Sequence, residues 1–149
     1  MAQYQLVHFN LNGKDVERMV DVRASLTDML RNDYHMTSVK KGCEVGECGA
    51  CNVIIDGECF NSCIYLAVWA EGKRIRTLES LMGPNGELSD IQQAFIDETA
   101  VQCGFCTPGF IMTAVEIWRA ASSTRTRSCA SSSPGTCAAA PAMRTSSGR

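Results

Sequence analysis

The stretch 40–51, KKGCEVGECGAC, limits what this chain can become more than any other. Cys43, Cys48 and Cys51 are spaced C-x4-C-x2-C, and Cys63 follows twelve positions after Cys51. That spacing is the one used by plant-type [2Fe–2S] sites. Two irons bridged by sulfides need four thiolates converging from one loop and one neighbouring strand. The loop must wrap closely, and Gly42, Gly46 and Gly49 free its backbone of Cβ crowding. Backbone N–H groups can then reach the sulfurs and tune the site. Lys40 and Lys41 are placed to offset negative charge. The bland alternative is a structural zinc site, but zinc ribbons use paired C-x2-C knuckles, and this spacing with its flanking glycines does not match them.

Cysteine usage points the same way. The chain has nine cysteines in 149 residues. Residues 1–10 show no basic region followed by an apolar one, so no secretory signal is read and a cytoplasmic setting is expected. Reduced thiols there argue for metal ligation over disulfides. The net charge of -2 suggests neither nucleic acid nor an anionic membrane as partner. The longest apolar run, 63–70, is too short to span a bilayer. Cys59 is expected as a small buried hydrophobe. His8 and His35 lie apart from the cysteine motifs and are read as structural, and Trp69 and the scattered methionines as core. No catalytic residue stands out.

The pattern along the chain predicts an α+β protein. Residues 4–21 alternate apolar and polar about Asn12-Gly13, a type I′ hairpin signal. Ser25, with Asp28 three residues on, predicts a helix N-cap, and Leu26, Met29 and Leu30 share a face. NVIIDGECF predicts a second hairpin on Asp56-Gly57. CIYLAVWAEGKRIRTLESL predicts a strand, a turn at Glu71-Gly72, and another strand. Beyond SLMGPNGELS the pattern becomes helical. Ser89 and Gln92 form a capping-box pair. Thr107 is expected as an N-cap, with Pro108 at the first helical position. This gives segments 1–80 and 86–118, followed by 119–149.

A second pair of cysteines, Cys103 and Cys106, sits in QCGFCTPG. GCEVGECGAC with its later Cys63, followed by QCGFCTPG, resembles the iron–sulfur subunit of the molybdenum hydroxylases, the xanthine dehydrogenase family. CIYLAVWAEGKRIRTLE is similar to the bacterial branch of that family. The resemblance covers residues 1 to about 117. It implies a β-grasp, ferredoxin-like domain with a [2Fe–2S] cluster on Cys43, Cys48, Cys51 and Cys63. It also implies an all-α, four-helix domain with a second cluster, held by Cys103, Cys106 and a later C-x-C within CRCTGY. It further implies a pterin contact at Gln102, molybdopterin on a large partner subunit, and FAD on a flavin-binding partner subunit. The chain would pass electrons between those subunits, with purine catabolism as the setting. A free-standing ferredoxin is the alternative, and it would not need the helical segment.

The segment 119–149 departs from that pattern. It carries five arginines, no acidic residue, and no Leu, Ile, Val, Phe or Tyr. No C-x-C occurs in it; Cys129 and Cys137 are flanked by Ser, Ala and Arg. As written it reads as a low-complexity tail. Shifting the reading frame so that each codon starts at the previous third base changes this. Pro134–Ser146 then permits GHLCRCTGYENI, which contains the absent CRCTGY, and the bases encoding TRSCASSSP permit EKLRKLIS. The expectation is a single-nucleotide frameshift near codon 118, leaving the second site with two of its four ligands.

Overall fold

The computed structural model describes residues 3–130, with side chains described as far as Ser122. The expectations for Cys129, Cys137 and the low-complexity tail lie outside the described side chains. The chain divides into two compact units, Met1–Trp118 and Arg119–Arg149. The first is an α+β unit that carries both described cysteine motifs.

β1 (Tyr4–Leu11) and β2 (Lys14–Asp21) pair antiparallel, with Leu11 opposite Lys14. Asn12 and Gly13 both take positive φ, as a two-residue type I′ turn requires. Helix α1 (Leu26–Asn32) starts where expected: the Ser25 hydroxyl accepts the Asp28 N–H at 3.1 Å. β3 (Asn52–Ile55) and β4 (Glu58–Asn61) form the second hairpin on Asp56-Gly57, again with positive φ at both residues. β5 (Arg74–Arg76) runs parallel to β1 and antiparallel to β3, giving the order β2-β1-β5-β3-β4.

The strand expected over CIYLAVW is not formed. Leu66 makes one isolated bridge to Ser25, and Ala67–Ala70 is a 3-10 turn. The reason lies in the spacing of the small residues. Ala67 and Ala70 are both fully buried, and a 3-10 turn stacks positions i and i+3 on one side where a strand would separate them. The same turn throws Trp69 outward, 55 % exposed, with its ring edge-on to Tyr65 at 5.5 Å. Trp69 is therefore not core. The methionines divide: Met29 and Met112 are buried, whereas Met19 and Met82 are exposed. Met19 follows from the period of two along β2, in which its neighbour Val20 takes the inward position.

β3 decides how the layers meet. Val53 and Ile55 face a core with Val7, Leu26, Leu30 and Ile75. Ile54, between them, points to the other side and packs with Ile111, Met112 and Val115. Those three belong to α3 (Thr107–Ala130), and Ile91 and Phe95 of α2 (Asp90–Asp97) border the same cluster. Each fully buried aliphatic side chain contributes about 1.5–3 kcal/mol relative to exposure. α2 begins with the expected capping box between Ser89 and Gln92. α3 begins one residue earlier than expected. Thr107 is already helical and the Cys106 carbonyl accepts the Phe110 N–H at 3.2 Å, so Cys106 occupies the cap position. Among the described residues no helix is long and apolar enough to cross a membrane.

Candidate metal centre

The loop before β3 is irregular, as its glycine content demands. The Lys40 N–H to Ala50 carbonyl bond closes its base at 3.2 Å. Within it, Gly46 and Gly49 take φ of +82° and +70°, a region that costs other residues about 1–2 kcal/mol. Gly42 is required for a different reason. A Cβ there would lie 2.8 Å from the Cys48 sulfur and collide with it.

This wrapping aims three backbone donors at one sulfur. The N–H groups of Val45, Glu47 and Cys48 reach Cys43 Sγ at 3.5, 3.3 and 3.4 Å. Those backbone bonds, with a smaller contribution from the Cys48 thiol, pull the Cys43 thiol down to about 6. Cys63 is the opposite case. Burial, together with the hydrogen bond and charge of Cys51, pushes its thiol up to about 11, and Cys43 adds to the rise. Cys48 is thus felt at Cys43, and both Cys51 and Cys43 are felt at Cys63. A [2Fe–2S] cluster is held by four such thiolates. Among the described residues no three His, Cys, Asp or Glu side chains gather closely enough for a single metal ion.

Several residues that build this site were not legible in the cysteine spacing. Asn61 Nδ2 donates to the Gly46 carbonyl at 2.5 Å, holding the outer turn of the loop. The Ser62 hydroxyl donates to the Cys51 carbonyl at 2.6 Å and meets the buried Thr27 hydroxyl at 2.7 Å. Their only sequence signal is position: both precede Cys63. Lys41 was expected to offset the site's charge, but its ammonium pairs with Asp28 and Glu44, each at 2.9 Å. Cys59 is half-buried on β4, 3.7 Å from the Thr113 hydroxyl, and burial raises its pKa. His8 stands exposed between Glu17 and Glu71, at 3.4 and 3.5 Å.

Cys103 and Cys106 lie in a second loop with Gly104 at φ +78°. Both are exposed, as is Gln102 beside them. Phe105 between them reaches back to the first loop: a Cβ on Gly42 would lie 3.8 Å from its ring. The first residues of α3 touch the first loop still more closely, since Gly109 is packed against Gly49 and Ala50.

Two family models match the chain. Residues 9–77 match one described as a 2Fe-2S iron-sulfur cluster binding domain, and residues 77–145 match one described as a [2Fe-2S] binding domain. The xanthine dehydrogenase iron-sulfur-binding subunit of Escherichia coli O157:H7 is 50% identical over 106 residues, 71% of this chain and 65% of that one. The nicotine 6-hydroxylase small subunit of Paenarthrobacter nicotinovorans is 46% identical over 114 residues, covering 76% of this chain and 68% of that one. The crystal structure of quinoline 2-oxidoreductase from Pseudomonas putida 86 superposes with a TM-score of 0.75 at 41% identity, over 78% of this chain and 71% of that chain. The chain thus spans about two thirds of the length of these relatives. With three cysteines in a glycine-wrapped loop, Cys63 beyond β4 and a second cysteine pair at a helix start, the chain belongs to the family of [2Fe–2S] iron–sulfur subunits of xanthine dehydrogenase and related molybdenum hydroxylases.

Proposed function

We propose that this chain is an electron-transfer subunit of a molybdenum hydroxylase, with Cys43, Cys48, Cys51 and Cys63 holding one [2Fe–2S] cluster. The observation that carries this is the convergence of three backbone N–H groups on Cys43 Sγ, in a loop whose glycines let it wrap Cys43, Cys48 and Cys51. When bound, the cluster supplies reversible one-electron chemistry. The chain's own residues do the rest. Gly42, Gly46 and Gly49 let the backbone approach, and the N–H groups of Val45, Glu47 and Cys48 stabilise thiolate charge. Ala50 and Cys51, both nearly fully buried, keep water from the inner side.

Segment 1–80 is read as a β-grasp ferredoxin-like domain, supported by the mixed five-stranded sheet with α1 packed against the turn at Ala67–Ala70. Segment 86–118 is read as the start of a helical domain in which Cys103 and Cys106 supply half of a second site. Gln102, exposed beside that pair, is read as its contact with a pterin. The partners in this reading are a large molybdopterin-binding subunit and a flavin-binding subunit. A cytoplasmic setting belongs to this reading, in which the cysteines of both motifs serve as metal ligands rather than disulfides. The substrate of the assembled enzyme is a property of the large subunit. The relatives' names span xanthine, nicotine, caffeine and nicotinate, so purine catabolism is one setting among several.

The decisive experiment is co-purification of the full chain with metal analysis. Association with a molybdenum-containing subunit supports the reading, whereas an iron-bearing chain that stays alone would make it a free-standing ferredoxin. A chain that binds zinc and remains colourless would defeat both. Resequencing across codon 118 tests the frameshift reading of 119–149; a clean read in the present frame ends it.

A further inference from the structure

Resting on the reading of Cys43, Cys48, Cys51 and Cys63 as cluster ligands, we propose that the first turns of α3 are a working part of the first site, with Thr113 as a positioning residue for the Cys48–Cys51 turn. That turn is tight. The Asn52 N–H donates to the Gly49 carbonyl at 3.1 Å, and Gly49 sits at φ +70°. Cys48 immediately precedes it and Cys51 lies within it, so its shape sets where two of the four sulfurs stand.

α3 backs this turn at close range. A Cβ on Gly109 would overlap the Gly49 carbonyl oxygen and lie 3.1 Å from Ala50 Cα. The helix therefore meets the turn backbone to backbone. One helical turn on, Thr113 Oγ1 donates to the Gly109 carbonyl at 3.1 Å and accepts from Asn52 Nδ2 at 2.9 Å. Asn52 in turn presses on the loop, since a Cβ on Gly49 would lie 3.3 Å from its Nδ2. Another turn on, Glu116 Oε1 accepts the Cys59 N–H of β4 at 3.0 Å. Gly109, Thr113 and Glu116 stand at i, i+4 and i+7, one face of a helix. That face runs along the back of the cysteine loop and the β3–β4 hairpin.

The Thr113 hydroxyl is the pivot. It donates to the Gly109 carbonyl and receives the Asn52 amide, with the Cys59 thiol 3.7 Å away. Without it, a part-buried amide beside Gly49 loses its donor contact in a side chain whose Oδ1 is already buried with no hydrogen-bond partner. The turn must then move to satisfy that amide, and the sulfurs of Cys48 and Cys51 move with it.

The test uses the full chain purified with its iron. Thr113→Val removes the hydroxyl at nearly matched volume, and Thr113→Ser restores it. Thr113→Val is expected to lose its visible absorbance in excess chelator about fivefold faster than wild type, the factor that one net hydrogen bond represents. The electron paramagnetic resonance signal of the dithionite-reduced protein is expected to shift in Thr113→Val and to return in Thr113→Ser. Amide exchange at Asn52 in the iron-free chain gives a reading independent of the cluster, with faster exchange expected in Thr113→Val alone. Wild-type behaviour of Thr113→Val in these measurements, or equal defects in the Val and Ser variants, overturns the proposal. A wild-type chain that takes up no iron defeats the cluster reading instead, and exchange at Asn52 then decides the clamp by itself.

Discussion

The two cysteine motifs use similar means in unlike surroundings. Each loop has a glycine at positive φ between its cysteines, and each runs into a regular element, β3 or α3. The first loop is gripped from outside by Asn61, Ser62 and the face of α3. Its Cys51 is 3 % exposed and Cys43 and Cys63 are partly buried, with Cys48 the exposed one of the four. At the second loop Cys103 and Cys106 are both exposed, and so are Phe105 and Phe110 beside them. Large apolar side chains left in water on one stretch of surface mark a place where something else packs. The difference teaches that a cysteine spacing makes a site only when distant segments enclose it. In the first motif they do so within residues 1–118.

The contrast is broken most directly by removing a thiol from each motif. Cys51→Ser is expected to abolish nearly all bound iron and visible absorbance, while Cys106→Ser leaves most of both. Iron analysis is expected to give about two irons per wild-type chain, one cluster's worth. Equal losses from the two variants, or about four irons per chain, would place the motifs on the same footing.

Gly109→Ala asks which motif the start of α3 serves. The added methyl overlaps the Gly49 backbone, so urea denaturation should show a loss of about 1–3 kcal/mol, the usual range for forced overpacking. Gly104→Ala meets nothing closer than a Val101 methyl at 3.7 Å and should show only its left-handed strain, about 1 kcal/mol. A larger loss at Gly104 than at Gly109 would reverse the contrast.

Ser62→Ala sharpens the account of the enclosing shell. It strips the Cys51 carbonyl of its side-chain donor and leaves the buried Thr27 hydroxyl without its partner. A loss of about 1–3 kcal/mol is expected in the same denaturation measurement. Wild-type stability would remove Ser62 from the site's support.

The smallest effect is in pH. Burial pushes the Glu79 carboxyl up, but hydrogen bonds from Thr77 and Ser38 outweigh it and hold the group below its ordinary 4.5. A carboxyl depressed in the folded state stabilises fully above the ordinary value, and that contribution is lost as pH falls through the folded one. Glu79 receives the Ser38 N–H at 3.1 Å just before the first loop. Glu79→Gln should therefore weaken the loss of thermal stability between pH 5 and pH 3, about the carboxylate range. An unchanged slope would take Glu79 out of the support of that loop.

Much of this was legible in the residues. Two hairpins on Asn-Gly and Asp-Gly, the Ser25 and Ser89 caps, and the glycines of the cysteine loop all follow from local chemistry. Where local signals compete, packing decides between them. Residues 63–70 are as apolar as a strand, but Ala67 and Ala70 demanded burial three residues apart. Trp69 looked like core on composition alone, and the turn that buries the two alanines turns it to solvent. Lys41 looked free to face the cysteines, and Asp28, thirteen positions earlier, holds it.

Ligand spacing, turns and caps are local properties, because each is set within a few residues by covalent geometry and short-range hydrogen bonds. That Asn61, Ser62, Gly109 and Thr113 belong to the cysteine loop depends on how the folded elements pack. Those contacts join segments up to 61 positions apart. Those made by α3 exist because Ile54 turns its side chain away from Val53 and Ile55, burying β3 on both faces and drawing α3 against the back of the site.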